Sequence, residues 1–168
     1  TSVACGSALK RGGLLILRDR FLSFFLLSTI IFNVAFYGAI STVSPFLIGV
    51  IGYSQATASL IGVFMPIASI LGYVVSGFFL VPRLGNQGTN AGGKILVAVG
   101  LVLVGYCDVT ARPKVFFWLG WETIAIGLGL VMPSQDAIIS MRVGKHDQGK
   151  VVSLAIIAVS IGVIIGAA

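Results

Sequence analysis

The sequence predicts an all-α membrane protein, a bundle of five transmembrane helices. Three observations carry that prediction. Of 168 residues, 57% are apolar and only 10% are charged, with mean hydropathy +1.07; an ordinary soluble domain is roughly 45–50% apolar and about 25% charged. A water-soluble fold of this length cannot hide so much apolar surface. The apolar residues fall in five long stretches that lack the period-two alternation of barrel strands. All 11 basic residues lie in the tail, in loops or at helix ends. That is the footprint of membrane topology, so the net charge of +6 does not mark a nucleic-acid partner.

Residues 1–20 read as an N-terminal tail and amphipathic lead-in, and residues 21–168 as the bundle, with crossings at about 21–48, 56–82, 92–111, 115–141 and 149–168. Thr1–Gly13 is too polar for a signal-peptide core but suits what remains after a transit peptide is removed. A first residue other than Met, and an apolar run reaching Ala168, read as a fragment or a processed product. Cys5 and Cys107 fall on opposite sides of the membrane and so cannot pair.

The third crossing is the shortest, with thirteen residues between Lys94 and Asp108. It spans if Lys94 snorkels and the helix continues toward Ala111. With five crossings, Lys10, Arg11, Arg18, Arg20, Arg83, Lys94, Arg142, Lys145 and Lys150 share one side, against Arg112 and Lys114 on the other. That split of nine to two becomes eight to three if the third segment turns back. The positive-inside rule therefore favours five crossings, with the N-terminus on the cytoplasmic, stromal or matrix side.

The first helix carries Thr29, Asn33, Tyr37 and Ser41, each four residues after the last. Steps of four drift about 40° each, so the four form one polar stripe. An amide at the depth of Asn33 is costly unless it faces protein or water. The stripe reads equally as cavity lining or as interhelical glue. On the second helix Gln55, Ser59, Gly62, Pro66, Ser69, Tyr73 and Ser76 follow a 4-3-4-3-4-3 spacing. They form a seam of mostly small or polar residues on which another helix can dock. The third helix has no polar face over Ile95–Gly105 and reads as largely lipid-facing.

The fourth helix holds the two acidic residues inside spans, Glu122 and Asp136, on one stripe with Gly129 and Pro133. Carboxylates within a membrane mark ion, proton or solute paths. The competing reading hydrates both at an interface and pairs Asp136 with a basic neighbour such as Arg142. On the fifth helix Asp147 suits an N-cap, and Gly162 and Gly166 form a small-xxx-small pair. His146 reads as a solvated loop residue. The sequence offers no metal cluster, no catalytic triad and no phosphate loop. The reading is therefore of a protein that is not an enzyme and takes no cofactor or metal.

In order, the helices run polar-striped, small-seamed, bland, polar-striped, small-seamed, a period of three. A second triplet then runs opposite to the first across the membrane, the construction of many secondary transporters. Three stretches carry a family resemblance: Arg18-Asp19-Arg20 through Ser44-Pro45-Phe46-Leu47 to Gly52-Tyr53-Ser54; Gly77 through Pro82-Arg83-Leu84-Gly85; and Pro133 through Gln148-Gly149 to Gly166. With these the chain resembles the C-terminal half of a major facilitator superfamily transporter, helices seven to eleven, in the tetracycline-efflux-like branch.

The resemblance implies an incomplete 3+3 inverted repeat. The first and fourth helices would line a central cavity, the second and fifth would face the other half, and the third would be peripheral. Gly77, Arg83 and Gly85 then become gating-loop candidates, although Pro82 stands where the family often has Asp. There is also one extra residue after Gly77, and Asn86-Gln87 replaces the usual basic residues. The implied partners are the lipid bilayer, a second transporter half or other membrane subunits, and a small-molecule solute. A transporter-derived accessory subunit of a larger complex is the alternative.

Overall fold

The computed structural model describes residues 19–110, 112–143 and 147–168. The tail and most of the lead-in, with Cys5, Arg18, Lys145 and His146, lie outside the described residues. Among the described residues the secondary structure is helical throughout: α1 (Arg20–Gly49), α2 (Gln55–Val75), a π turn (Ser76–Leu80), α3 (Val81–Gly105), a 3-10 turn (Tyr106–Val109), α4 (Pro113–Arg142) and α5 (Gln148–Ala167).

Among the described residues four continuous runs are long and apolar enough to cross a membrane, and one of them, Gln55–Val109, is 55 residues long. At 1.5 Å per residue it measures about 80 Å, far beyond a hydrocarbon core of roughly 30 Å. It must double back, and Gly85 is where it does so. Gly85 holds φ 70° and ψ 172°, a left-handed φ that costs glycine little. The register against α4 establishes the reversal. Along α2, Phe64 meets Trp118, Ser69 meets Ala125 and Gly72 meets Gly129, so α2 runs parallel to α4. Along α3, Asn90 meets Ser134, Gly93 meets Gly127 and Gly100 meets Gly120, so α3 runs antiparallel. The long run is therefore two antiparallel helices, which makes five long helices among the described residues.

Two compact units emerge, Thr1–Ser41 with Ile138–Ala168, and Thr42–Ala137. In the first, α5 runs parallel to α1. A Cβ placed on Gly162 would fall 2.5 Å from the Asn33 Cβ, and one on Gly166 would fall 2.9 Å from the Gly38 nitrogen. The small-xxx-small pair is thus where the two helices close. Leu22, Leu26, Ile139, Val151, Ala155 and Ala158 form the adjoining core. Asp19 caps α1, its Oδ1 accepting from the Phe21 and Leu22 nitrogens at 3.0 and 3.3 Å. Arg142 donates from Nε to Asp19 Oδ2 at 3.3 Å and lies over the Phe21 ring. Asp147 occupies the cap position of α5, but its carboxylate takes the Lys150 ammonium instead of a backbone N–H. The expected Asp147 side-chain cap is therefore corrected to an ion pair.

In the second unit α4 is packed on two sides. Phe117, Trp121, Ile124, Leu128 and Val131 are buried, and glycines bring the neighbouring backbones close. Lipid tails are as apolar as leucine, so contacts of this kind, rather than hydrophobic expulsion, hold membrane helices together. Ser54 caps α2 by accepting from the Thr57 nitrogen at 3.2 Å. At the far end Pro82 explains the wide π turn. Its ring would strike the carbonyl four residues back in a regular helix, and the Val81 nitrogen reaches Ser76 O instead.

Candidate functional site

The α1 stripe grades from buried to exposed. Thr29 is fully buried and donates to Phe25 O at 2.9 Å, and Asn33, 6% exposed, donates to Thr29 O at 2.8 Å. Each thus satisfies a donor on its own helix, and Asn33 also lies against Gly162. Tyr37 is half-buried, edge-on to Phe36, while Ser41 is exposed and donates to Gly38 O at 2.9 Å. Tyr37 and Ser41 are the members of the stripe with side-chain surface to offer.

The α2 seam divides differently. Ser69 donates to Ala125 O at 3.0 Å, and Ser76 is buried. Ser59, Gly62, Pro66 and Tyr73 are exposed, and nothing lies within 4 Å of a Cβ placed on Gly62. The buried edge of α2 is Ala58, Ile61, Ala68 and Gly72, one residue before the seam at each step. Gly72 decides which edge turns inward, because it alone lets the α4 backbone in at Gly129.

On α4, Glu122 is half-buried and Asp136 exposed, and neither has a hydrogen-bond or ion-pair partner among the described residues. Both lie on the side of α4 that meets α2. Glu122 follows Trp118 by four residues, and Asp136 follows it by eighteen, five full turns. Gly129, between them on the same stripe, is the closest approach to α2, so no side chain separates the two backbones there. Arg142 is engaged by Asp19.

Of the loop candidates, Gly77 lies in the π turn, Arg83 is exposed on the short segment beyond it, and Gly85 makes the reversal. The sequence reading left 83–91 as connection and missed a buried polar cluster. Asn90 Nδ2 donates to Val131 O at 3.2 Å and to Ser134 Oγ at 3.3 Å, and Thr89 donates to Gly85 O at 2.9 Å. The available signal was the 3-4-3 spacing of Asn90, Gly93, Val97 and Gly100. Among the described residues no cluster of His, Cys, Asp and Glu could hold a metal ion.

The sequence pattern of the Major Facilitator Superfamily matches residues 6–167, nearly the whole chain. The chain belongs to the Major Facilitator Superfamily. Neither the curated proteins nor the solved structures compared with it give a match. Membership makes this major facilitator chain a transporter, integral to the lipid bilayer and acting on a small solute.

Proposed function

We propose that this chain is the C-terminal half of a secondary active transporter, helices seven to eleven in the tetracycline-efflux-like branch, moving its solute by alternating access. Glu122 carries the reading. An ionisable group inside a crossing is expensive and is retained where it meets an ion or a solute, and this one is half-buried without a partner among the described residues. Tyr37 and Ser41 on α1, and Asp136 on α4, serve as lining groups, while Thr29 and Asn33 support the stripe from within. The exposed seam of Ser59, Gly62, Pro66 and Tyr73 faces the other half. The basic loops support an N-terminus on the cytoplasmic, stromal or matrix side.

Uptake into vesicles containing the full-length protein tests the assignment. Glu122→Gln is expected to reduce uptake at least tenfold while expression holds; undiminished uptake removes Glu122 from the route. The exposed seam equally suits an accessory subunit docked on foreign helices. Native purification separates the two: a monomer of about twelve helices supports the transporter, and co-migration with a large assembly at fixed stoichiometry supports the subunit.

A further inference from the structure

Two polar groups on facing turns of α2 and α4 lack the partners that their own helices would normally give them. The first is Ser76 Oγ, buried with no hydrogen bond among the described residues, on a residue only 1% exposed. Its helix does not claim it, because the Gly72 carbonyl one turn back takes the Ser76 N–H. The second is the Gly129 carbonyl. Its helical donor would be the nitrogen of residue 133, and the proline inside α4 at that position has no N–H to give.

The two groups sit at one level between the helices. Gly72 and Gly129 bring the backbones of α2 and α4 into contact. Ser76 follows Gly72 by four residues, and Pro133 follows Gly129 by four. Because the helices run parallel, one turn beyond that contact sets Ser76 level with Pro133. A helical carbonyl points along the axis toward the residue four ahead, so Gly129 O is directed to the same level. Ser76 continues the Gly72 edge of α2, the edge that α4 covers, and its hydroxyl is buried there.

A buried donor or acceptor left unpaired is among the costlier features a fold can carry. In membrane helices a carbonyl freed by proline is re-satisfied by Ser or Thr side chains of a neighbouring helix and by ordered water. Ser76 Oγ makes no direct bond, and one water molecule has the donors and acceptors to join it to a carbonyl. We propose that Ser76 Oγ and Gly129 O form a binding site for a single buried water. The water replaces the hydrogen bond that Pro133 removes and ties the end of α2 to α4. The site is independent of whether Glu122 meets a solute, so the two readings fail separately.

Dodecyl sulfate unfolding of the full-length protein in mild detergent, together with water-edited solid-state NMR, tests the site. An isolated buried hydroxyl is a net cost, so without the bridge Ser76→Ala would leave the unfolding constant unchanged or lower it. With the bridge, Ser76→Ala should raise that constant by about threefold or more, the factor of an average interhelical hydrogen bond in a membrane. Pro133→Ala returns an N–H to Gly129 O, and in that background the effect of Ser76→Ala should fall below about twofold. In serine-labelled parent protein, magnetisation from water should reach Ser76, whose signal is identified by its loss in Ser76→Ala. A Ser76→Ala protein as stable as the parent, or more so, overturns the site. An undiminished effect in the Pro133→Ala background overturns Gly129 O as the partner, and a Ser76 signal that receives nothing from water overturns the water.

Discussion

Alanine at Gly129 places a methyl group where the backbone of α2 already lies. Its Cβ would fall 2.7 Å from the Gly72 Cα and 2.9 Å from the Gly72 carbonyl carbon, with Ser69 O nearer still. Carbon atoms pack at about 3.5–4.0 Å, so the helices must part by roughly 1 Å, and backbone cannot swing aside as a side chain can. Overpacking of that kind costs about 1–3 kcal/mol. Parting also stretches the Ser69–Ala125 bond, now 3.0 Å, one turn away, and an interhelical bond in a membrane is worth ~0.6 and at most ~1.7 kcal/mol. Alanine returns up to about 1 kcal/mol through helix propensity, leaving a net loss of roughly 1–3 kcal/mol. The assay is the midpoint of dodecyl sulfate unfolding of the full-length protein in mild detergent. Gly92→Ala, on α3 with nothing within 4 Å of its Cβ, is the internal control and should be neutral or slightly stabilising. Equal midpoints for the two variants would refute backbone contact between α2 and α4.

The same titration reads three further substitutions. Asn90→Ala removes both bonds from α3 to α4 but strands nothing, since Ser134 Oγ keeps Leu130 O and Val131 O; a loss of ~0.6–1.7 kcal/mol is expected. Asp19→Asn should cost less than about 1 kcal/mol, because the Arg142 pair is well exposed and asparagine still caps; Asp19→Ala should cost about 1 kcal/mol more. Gly162→Val, with its Cβ 2.5 Å from the Asn33 Cβ and 2.9 Å from Ile30 O, should separate α5 from α1 and lower stability by about 1–3 kcal/mol.

Helix number and order were legible because hydropathy reports depth in the membrane, and each crossing must satisfy its own backbone. Helix faces were less so. On α2 two neighbouring edges are both rich in small residues, and the backbone contact of Gly72 with Gly129 decides between them. The start of α3 was hidden because Asn86–Asn90 is polar. Thr89 and Asn90 are nonetheless buried in the helix, their donors taken up by Gly85 O and by α4. The extra residue after Gly77 did announce itself as a departure from the family loop. Its consequence, the π turn over Ser76–Leu80, needed the backbone.

The two carboxylates of α4 flank its closest approach to α2. Glu122 and Asp136 lie seven residues on either side of Gly129, about 10 Å along the axis each way. The contact with α2 runs from Trp118 through Ala125 to Gly129. Glu122 therefore lies within that contact and Asp136 beyond its last member. If the α2-facing side of α4 were packing surface alone, apolar residues would fill both positions without the cost of an ionisable group in lipid. Glycine at the closest approach, with an acidic residue two turns to either side, is the pattern of a helix face that does more than pack.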